Sequence, residues 1–255
     1  CLAVVFSHLA MSFFPFLHHF DPTETTDLNW VYQVHHLPLG FLYSGDAAVF
    51  VFFVLSGYVL SYAILKKPEQ FQSRLKNMMV KRYPRLMIPA LTSCLIIWAT
   101  LSIIDIDSRH VGLWLQAFAQ QDFSFKTALY EGTIGAFLFS DSNINWVLWT
   151  MTIELMGSFV LFFLLVLYQW KHGVFWLGSV LVLVLAYMWR GQGFCMGIAS
   201  FVIGIYIYLY AKQLSACFAV LLLILGLYLA GAHNTSQAYS WLYALWGEHT
   251  YDFSN

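Results

Sequence analysis

The sequence predicts an all-α fold, a polytopic integral membrane helical bundle, and three observations predict it. Of the 255 residues, 60% are hydrophobic and only 10% charged, against about 25% charged in a soluble domain. The mean hydropathy is +0.68. The apolar residues also come in runs near the roughly 20-residue length that crosses a bilayer. The same numbers exclude other classes. So high an apolar content is incompatible with a disordered chain. A net charge of −1, with no basic face tracking a backbone, excludes a nucleic-acid binder. Cys1, Cys94, Cys195 and Cys217 lie in or beside apolar runs without Cys-x-x-Cys spacing. They indicate neither a disulfide framework nor a metal site.

Taken in order, residues 1–17 read as a partial membrane helix. Cys1–Phe6 is apolar from the outset with no charged region before it, so it reads as the second half of a helix whose start is missing rather than a signal peptide. Full spans are expected near 46–65, 86–104, 146–168, 174–189, 194–210 and 216–232, each mostly apolar over about the required length. Two shorter stretches, 128–140 and 238–247, are ambiguous. The expectation is a single membrane domain over 1–255 with about seven to eight helices. The closing Gly247–Asn255 stretch has no charged tail and no finished helix, so the chain reads as truncated at both ends. The polar connections are 18–45, 66–85 and 105–127.

Charge placement orients the spans. Seven of the 12 basic residues fall in one loop: Lys66, Lys67, Arg74, Lys76, Lys81, Arg82 and Arg85. The positive-inside rule puts that loop in the cytoplasm. The 18–45 loop carries Asp21, Glu24 and Asp27 with no Lys or Arg, so it lies outside. If 128–140 does not span, Lys171 and Lys212 fall inside and Arg190 outside. That assignment fits better, so 128–140 is read as re-entrant or interfacial. Asn234-Thr235-Ser236 is a glycosylation sequon in a loop that then lies outside.

Ionisable groups within membrane helices are costly and point to function by default. His8 is one, in Val4–Ser12, with Ser12 one turn on. An imidazole titrates near neutrality and can act as a general base; the competing reading is a core histidine bonded to a neighbouring helix. Glu154 is the second. Thr150, Glu154, Gly157 and Ser158 share one helical face, a polar and small stripe in a very apolar segment. A buried carboxylate needs a cation or hydrogen-bond donors. Glu154 can therefore orient a histidine, hold an acceptor hydroxyl, or pair with an arginine. Phe52-Phe53-Val54-Leu55-Ser56-Gly57 is followed by Ser61, a small-residue face suited to close helix packing. Lys81–Pro89 holds Arg82 and Arg85 three apart, on one face if helical, and guanidinium forks suit phosphates; as a cytoplasmic flank they also anchor topology. His18, His19, His35 and His36 cluster in the outer loop, where solvated side chains are the better reading than a metal site.

Together these elements resemble membrane acyltransferase family 3, the integral-membrane O- and N-acyltransferases. The order matches: a His in the first helix, then Phe-Phe-x-x-Ser-Gly, then Arg-x-x-Arg with a following Pro89, then Trp149-Thr150-x-x-x-Glu154. The wording FFVLSGYVLSY, KRYPRLMIP and WTMTIELMGS looks especially like the fungal-type branch. The resemblance runs over about 1–160 by motif and beyond that by hydropathy alone. It implies an enzyme that takes an acyl group, acetyl being expected, from cytoplasmic acyl-CoA to an acceptor hydroxyl of a carbohydrate or lipid. Acyl-CoA is then a co-substrate, and no cofactor or metal is implied. Carried over, His8 is the catalytic histidine and Glu154 an active-site carboxylate. Arg82 and Arg85 hold CoA phosphates or the site's structure, and Phe52, Phe53, Ser56 and Gly57 shape the donor channel, with Trp149 and Thr150 lining the site. Two departures stand out. The family's arginine upstream of the histidine would fall before Cys1, and Phe50 occupies the place of an acidic residue before the Phe pair.

Two rival readings differ in class. A multi-spanning transporter would also carry ionisable residues at mid-depth, but with paired, broken helices in matched halves, and no such pairing is visible. A non-catalytic relative would bind acyl-CoA or lipid without turnover.

Overall fold

The computed structural model describes residues 2–18, 25–104 and 106–246. Cys1, His19, Asp21, Glu24 and the closing segment 247–255, on which the expectations about the chain's two ends and part of the outer loop rest, lie outside the described residues. The described residues are mostly helical, with no strand among them. In chain order the helices are α1 Leu2–Phe13, α2 Asn29–His36, α3 Gly45–Leu65, α4 Phe71–Ile103, α5 Leu113–Ala119, α6 Phe125–Tyr130, a π-helix Glu131–Phe139, α7 Thr150–Trp170, α8 His172–Tyr210, α9 Ala216–Ala230 and α10 Ser240–Trp246. Among the described residues, four helical stretches are long and apolar enough to cross a membrane: α3, α4 with its leading turn, α7 with its leading turn, and α8. The chain is a multi-pass integral membrane protein.

The chain divides into two compact units. One holds 1–49, 107–121 and 212–255; the other holds 50–106 and 122–211. The second contains most of α3, all of α4, α6, the π-helix, α7 and α8. Hydrophobic attraction between helices vanishes in lipid, so close packing and buried polar bonds must hold them. Both are visible. Gly57 of α3 and Gly204 of α8 meet backbone to backbone: a Cβ on Gly57 would strike the Phe201 carbonyl, and one on Gly204 the Val54 carbonyl. A Cβ on Gly157 of α7 would lie 2.5 Å from the Phe201 ring. Leu161, Leu164 and Leu165 of α7 and Phe175, Phe201 and Ile205 of α8 are fully buried.

α8 bends at Arg190 and Gly191, and Gly191 takes φ +75°, a left-handed conformation that suits glycine. Its arms fold back on each other, with Cys195 Sγ 3.4 Å from the Leu183 carbonyl and the Trp176 and Tyr206 rings 4.8 Å apart. The two expected spans 174–189 and 194–210 are these arms.

One connection differs from the expectation. The 66–85 stretch is not a loop: Pro68–Gln70 is a single turn, and α4 begins at Phe71 and runs unbroken through Pro84 and Pro89 to Ile103. Phe71, Leu75, Met78, Arg82 and Leu86 recur every three to four residues and turn inward, the amphipathic period that the dense charge masks. The 128–140 stretch forms α6 and the π-helix, packed on α4 at Ala90 and Cys94.

Pairings fix the helix directions in this unit. Arg74 donates to the Ala63 carbonyl at 2.7 Å, while Asn145, just before α7, donates to Ser93 at 2.9 Å. α3 and α7 therefore run antiparallel to α4. The end of α3, the start of α4 and the α7–α8 turn share one end of the unit, where Lys66, Lys67, Arg74, Lys76 and Lys171 gather. Tyr168, Trp176, Tyr206 and Tyr210 cluster at the α7–α8 end, as an aromatic belt at a bilayer boundary does.

In the first unit α1 stops at Phe13. Phe14 takes φ −137°, and Pro15 opens a short 3₁₀ turn because a residue before proline is pushed out of the helical region. Partial helix 1–17 is thus shorter than expected. Gly40 and Gly231 are in backbone contact, so that no Cβ fits at either.

Candidate functional site

The second unit holds a polar centre in apolar surroundings. Glu154 lies one turn into α7, because Thr150 starts the helix and the four-residue period repeats through Glu154 to Ser158. Arg82 of α4 is buried and forms an ion pair from Nη2 to Glu154 Oε1. Its Nε donates to Ser158 Oγ at 2.7 Å. Ser158 in turn donates to the Glu154 carbonyl at 2.6 Å. From α3, Ser56 Oγ donates to Glu154 Oε1 at 2.9 Å. The two charged side chains are only 10% and 15% exposed. Three helices thus bring one carboxylate, one guanidinium and two hydroxyls together. Both protein donors sit on Oε1; no hydrogen bond to Oε2 is found among the described residues.

Of the ways to satisfy Glu154 that the sequence left open, the geometry selects the arginine pair. It also separates Arg82 from Arg85. Arg82 is committed to Glu154 and Ser158, whereas Arg85 is exposed and has no ion pair among the described residues. The other expected site residues surround this centre unequally. Phe53 is 2% exposed and stacks on Phe201 at 5.7 Å, while Phe52 is exposed. Gly57 sits in the α3–α8 crossing described above. Thr150 is buried and its hydroxyl donates to the Val147 carbonyl at 3.2 Å; Trp149 is exposed.

A second buried network stands on the π-helix, a form often found at functional positions. Glu131, 2% exposed, accepts from Asn143 Nδ2 and from the Ile144 N–H, both at 2.8 Å. Arg190, at the α8 bend, donates to Ser140 Oγ at 2.6 Å and to the Leu138 carbonyl at 2.8 Å. Ser140 closes the π-helix at φ +64° and donates to Thr152 at 3.0 Å. The sequence reading passed over Glu131, although a carboxylate inside the apolar 128–140 stretch is the same signal that singled out Glu154. Ser158 was placed on the stripe but not in the site.

In the first unit His8 lies on α1, its ring 6.1 Å from that of Trp114. Ser12, one turn on, donates to the His8 backbone carbonyl at 2.7 Å rather than to the ring. No hydrogen bond to the His8 ring is found among the described residues. The outer-loop histidines are not all solvated, which corrects the expectation. His35 is 1% exposed, with Nδ1 3.1 Å from the Leu17 carbonyl and Nε2 3.1 Å from Thr235 Oγ1. His36 Nδ1 accepts from the Gln237 N–H at 3.3 Å. His18 Nε2 lies 3.1 Å from the Ser7 carbonyl, and burial holds its pKa below the usual 6.5, against the opposing pull of that bond and of Asp46. The reason is topological: the 231–239 segment, about two hundred residues on, folds over α2, and contacts at that separation leave no local pattern. Among the described residues, no group of three or more His, Cys, Asp or Glu side chains is arranged to hold a metal.

A family model described as an acyltransferase domain (Acyl_transf_3) matches residues 1–251. No curated protein and no solved structure matches the chain.

Proposed function

The chain belongs to this acyltransferase family, and from that premise we propose that it moves an acyl group, acetyl above all, from cytoplasmic acyl-CoA to the hydroxyl of a carbohydrate or lipid acceptor. The observation that carries the reading is the Arg82–Glu154–Ser56–Ser158 centre, set among apolar helices. A membrane protein keeps such a centre against its desolvation cost where the chemistry needs it.

The transfer exchanges a thioester for an ester. The acceptor oxygen attacks the thioester carbonyl, its proton passes to a base, and the CoA sulfur leaves and is protonated. His8 supplies the base, since an imidazole can take that proton and return it within one cycle. Glu154 is the second polar group of the reaction. With Oε1 held by Arg82 and Ser56, Oε2 is the acceptor position for a substrate hydroxyl. Arg82 holds and points the carboxylate through its ion pair, so it acts as a positioning residue, and Arg85 is the exposed cation for a CoA phosphate. Phe52, Phe53, Ser56 and Gly57 line the donor's path, with Trp149 and Thr150 at the start of α7. A dry site adds proximity and excludes the water that would hydrolyse the thioester. The motif wording favours the fungal-type branch, and 1–255 is taken as one membrane domain.

The test is label transfer. Full-length protein in membranes is given acetyl-CoA labelled in the acetyl group, beside His8→Ala and Glu154→Gln variants that insert at wild-type levels. Loss of CoA release in both variants is expected, by about 10²-fold or more. Acyl-CoA bound without turnover by the wild type would instead indicate a non-catalytic relative, and no binding would favour a transporter.

A further inference from the structure

Arg82 and Ser56 hold the tip of Glu154, but the direction in which α7 presents it is set where the chain enters that helix. Trp149 stands at the N-cap of α7 and makes no side-chain capping bond, so other bonds must anchor the first turn. They come from the π-helix and from the bend of α8. Arg190 Nη1 donates to Ser140 Oγ at 2.6 Å, Ser140 Oγ donates to Thr152 Oγ1 at 3.0 Å, and Thr152 Oγ1 donates to the Ala136 carbonyl at 2.7 Å. A guanidinium can only donate and a carbonyl can only accept. Each hydroxyl between them therefore donates once and accepts once, in a single direction, and bonds in such a row strengthen one another. Arg190 is itself fixed. Its Nη2 donates to the Leu138 carbonyl at 2.8 Å, and the guanidinium lies 5.0 Å and 6.0 Å from the centres of the Trp189 and Phe194 rings. At the other end of the row Thr152 is 0% exposed.

Three costly features meet in this row. The π-helix is a rare form that persists at functional positions. Ser140 holds φ +64°, the one positive φ outside glycine among the described residues, and such a conformation lasts only where its surroundings over-determine it. Arg190 commits a half-buried charge to neutral partners, with no ion pair among the described residues. Thr152 precedes Glu154 by two residues, so the two lie about 3 Å apart along the axis of α7 and about 160° apart around it. Thr152 thus pins the side of α7 opposite the carboxylate, and a turn of α7 about its axis would break the bonds to Ser140 and Ala136 as it moved Glu154. We infer that Arg190 is a positioning residue for acyl transfer: acting through Ser140 and Thr152, it fixes the rotation of α7 and with it the direction in which Glu154 presents Oε2 to a substrate hydroxyl. The inference rests on the proposed reaction for the role of Glu154; the coupling of Arg190 to Glu154 follows from the bonds alone.

The test has one arm with turnover and one without. In the first, full-length protein in its native membranes, which supply the acceptor, is given acetyl-CoA labelled in the acetyl group. Label on membrane material is divided by label released as free acetate, a ratio that does not depend on how much protein is folded. It should fall about tenfold or more in Arg190→Gln, Ser140→Gly and Thr152→Val. It should hold in Ser179→Ala, which loses a buried hydroxyl bonded within α8 to the Phe175 carbonyl. Ser140→Gly separates the bond from the strain, since glycine takes the left-handed conformation freely: its melting temperature should stay close to that of the wild type while the ratio falls. Arg190→Lys, which keeps the charge but not the fork, should lie between Arg190→Gln and the wild type. The second arm is thermal unfolding in detergent. Glu154→Gln should lower the melting temperature by about half as much, or less, in the Arg190→Gln background as in the wild type, because coupled positions do not add. A constant ratio in Arg190→Gln, or melting losses that add, overturns the inference. Coupled losses in a protein whose wild type transfers no acyl group would leave the coupling standing and defeat the catalytic reading alone. Additive losses where Glu154→Gln still abolishes transfer would do the reverse.

Discussion

At the residue scale the account turns on how one buried carboxylate is held. Glu154 shares Oε1 between a guanidinium and a hydroxyl, and Arg82 in turn holds Ser158. Removing one partner of such a buried pair strands the other's charge, at about 3–5 kcal/mol, while replacing both by apolar side chains costs far less. Thermal unfolding in detergent should therefore drop more for Arg82→Met or Glu154→Met singly than for the double variant, with acyl transfer absent from all three. A double variant less stable than both singles would contradict the pairing. His18 gives a pH prediction. Its pKa is held below 6.5 by burial, so the unfolded chain takes up the proton first. The stability His18 contributes is complete above pH 6.5 and is lost as the pH falls through the lowered native value. The melting temperature should decline on acidification in the wild type, and less in His18→Gln, whose amide can still donate to the Ser7 carbonyl. Equal slopes in the two proteins would remove His18 as the source.

At the element scale the close crossings decide. Gly57 and Gly204 bring α3 and α8 into backbone contact, and that contact sets where Ser56 reaches α7. Gly57→Ala inserts a methyl where a backbone carbonyl stands and cannot step aside, at a cost of about 1–3 kcal/mol. Detergent-solubilised Gly57→Ala should lose stability by that order in thermal or denaturant unfolding, whereas Gly173→Ala, with open space around it, should not. The spans themselves were legible, because a run of apolar residues has few other fates. α3, α7 and the two arms of α8 fall where hydropathy puts them. The start of α4 was not, since seven cations between 66 and 85 look like a loop until Phe71, Leu75, Met78 and Arg82 are seen to keep helical period. Of the candidate centre, Glu154, Arg82 and Ser56 could each be named from the sequence. That Arg82 binds Glu154, and not a ligand, depends on contacts across 72 residues, which no local pattern encodes. The burial of His35 under the 231–239 segment is hidden for the same reason.

At the scale of the whole molecule, the chain is a multi-pass membrane protein of an acyltransferase family, with its basic residues gathered at one end of the unit that holds the polar centre. That end is where the positive-inside rule expects the cytoplasm. The charged centre is satisfied by three helices in otherwise apolar surroundings. The central claim is that His8 and Glu154 carry acyl transfer. The most direct measurement follows labelled acetyl-CoA consumed by full-length protein in membranes, for the wild type, His8→Ala and Glu154→Gln at matched insertion. The account predicts label on the acceptor and free CoA from the wild type, with both lost by about 10²-fold or more in each variant. Undiminished CoA release from His8→Ala or from Glu154→Gln would contradict it.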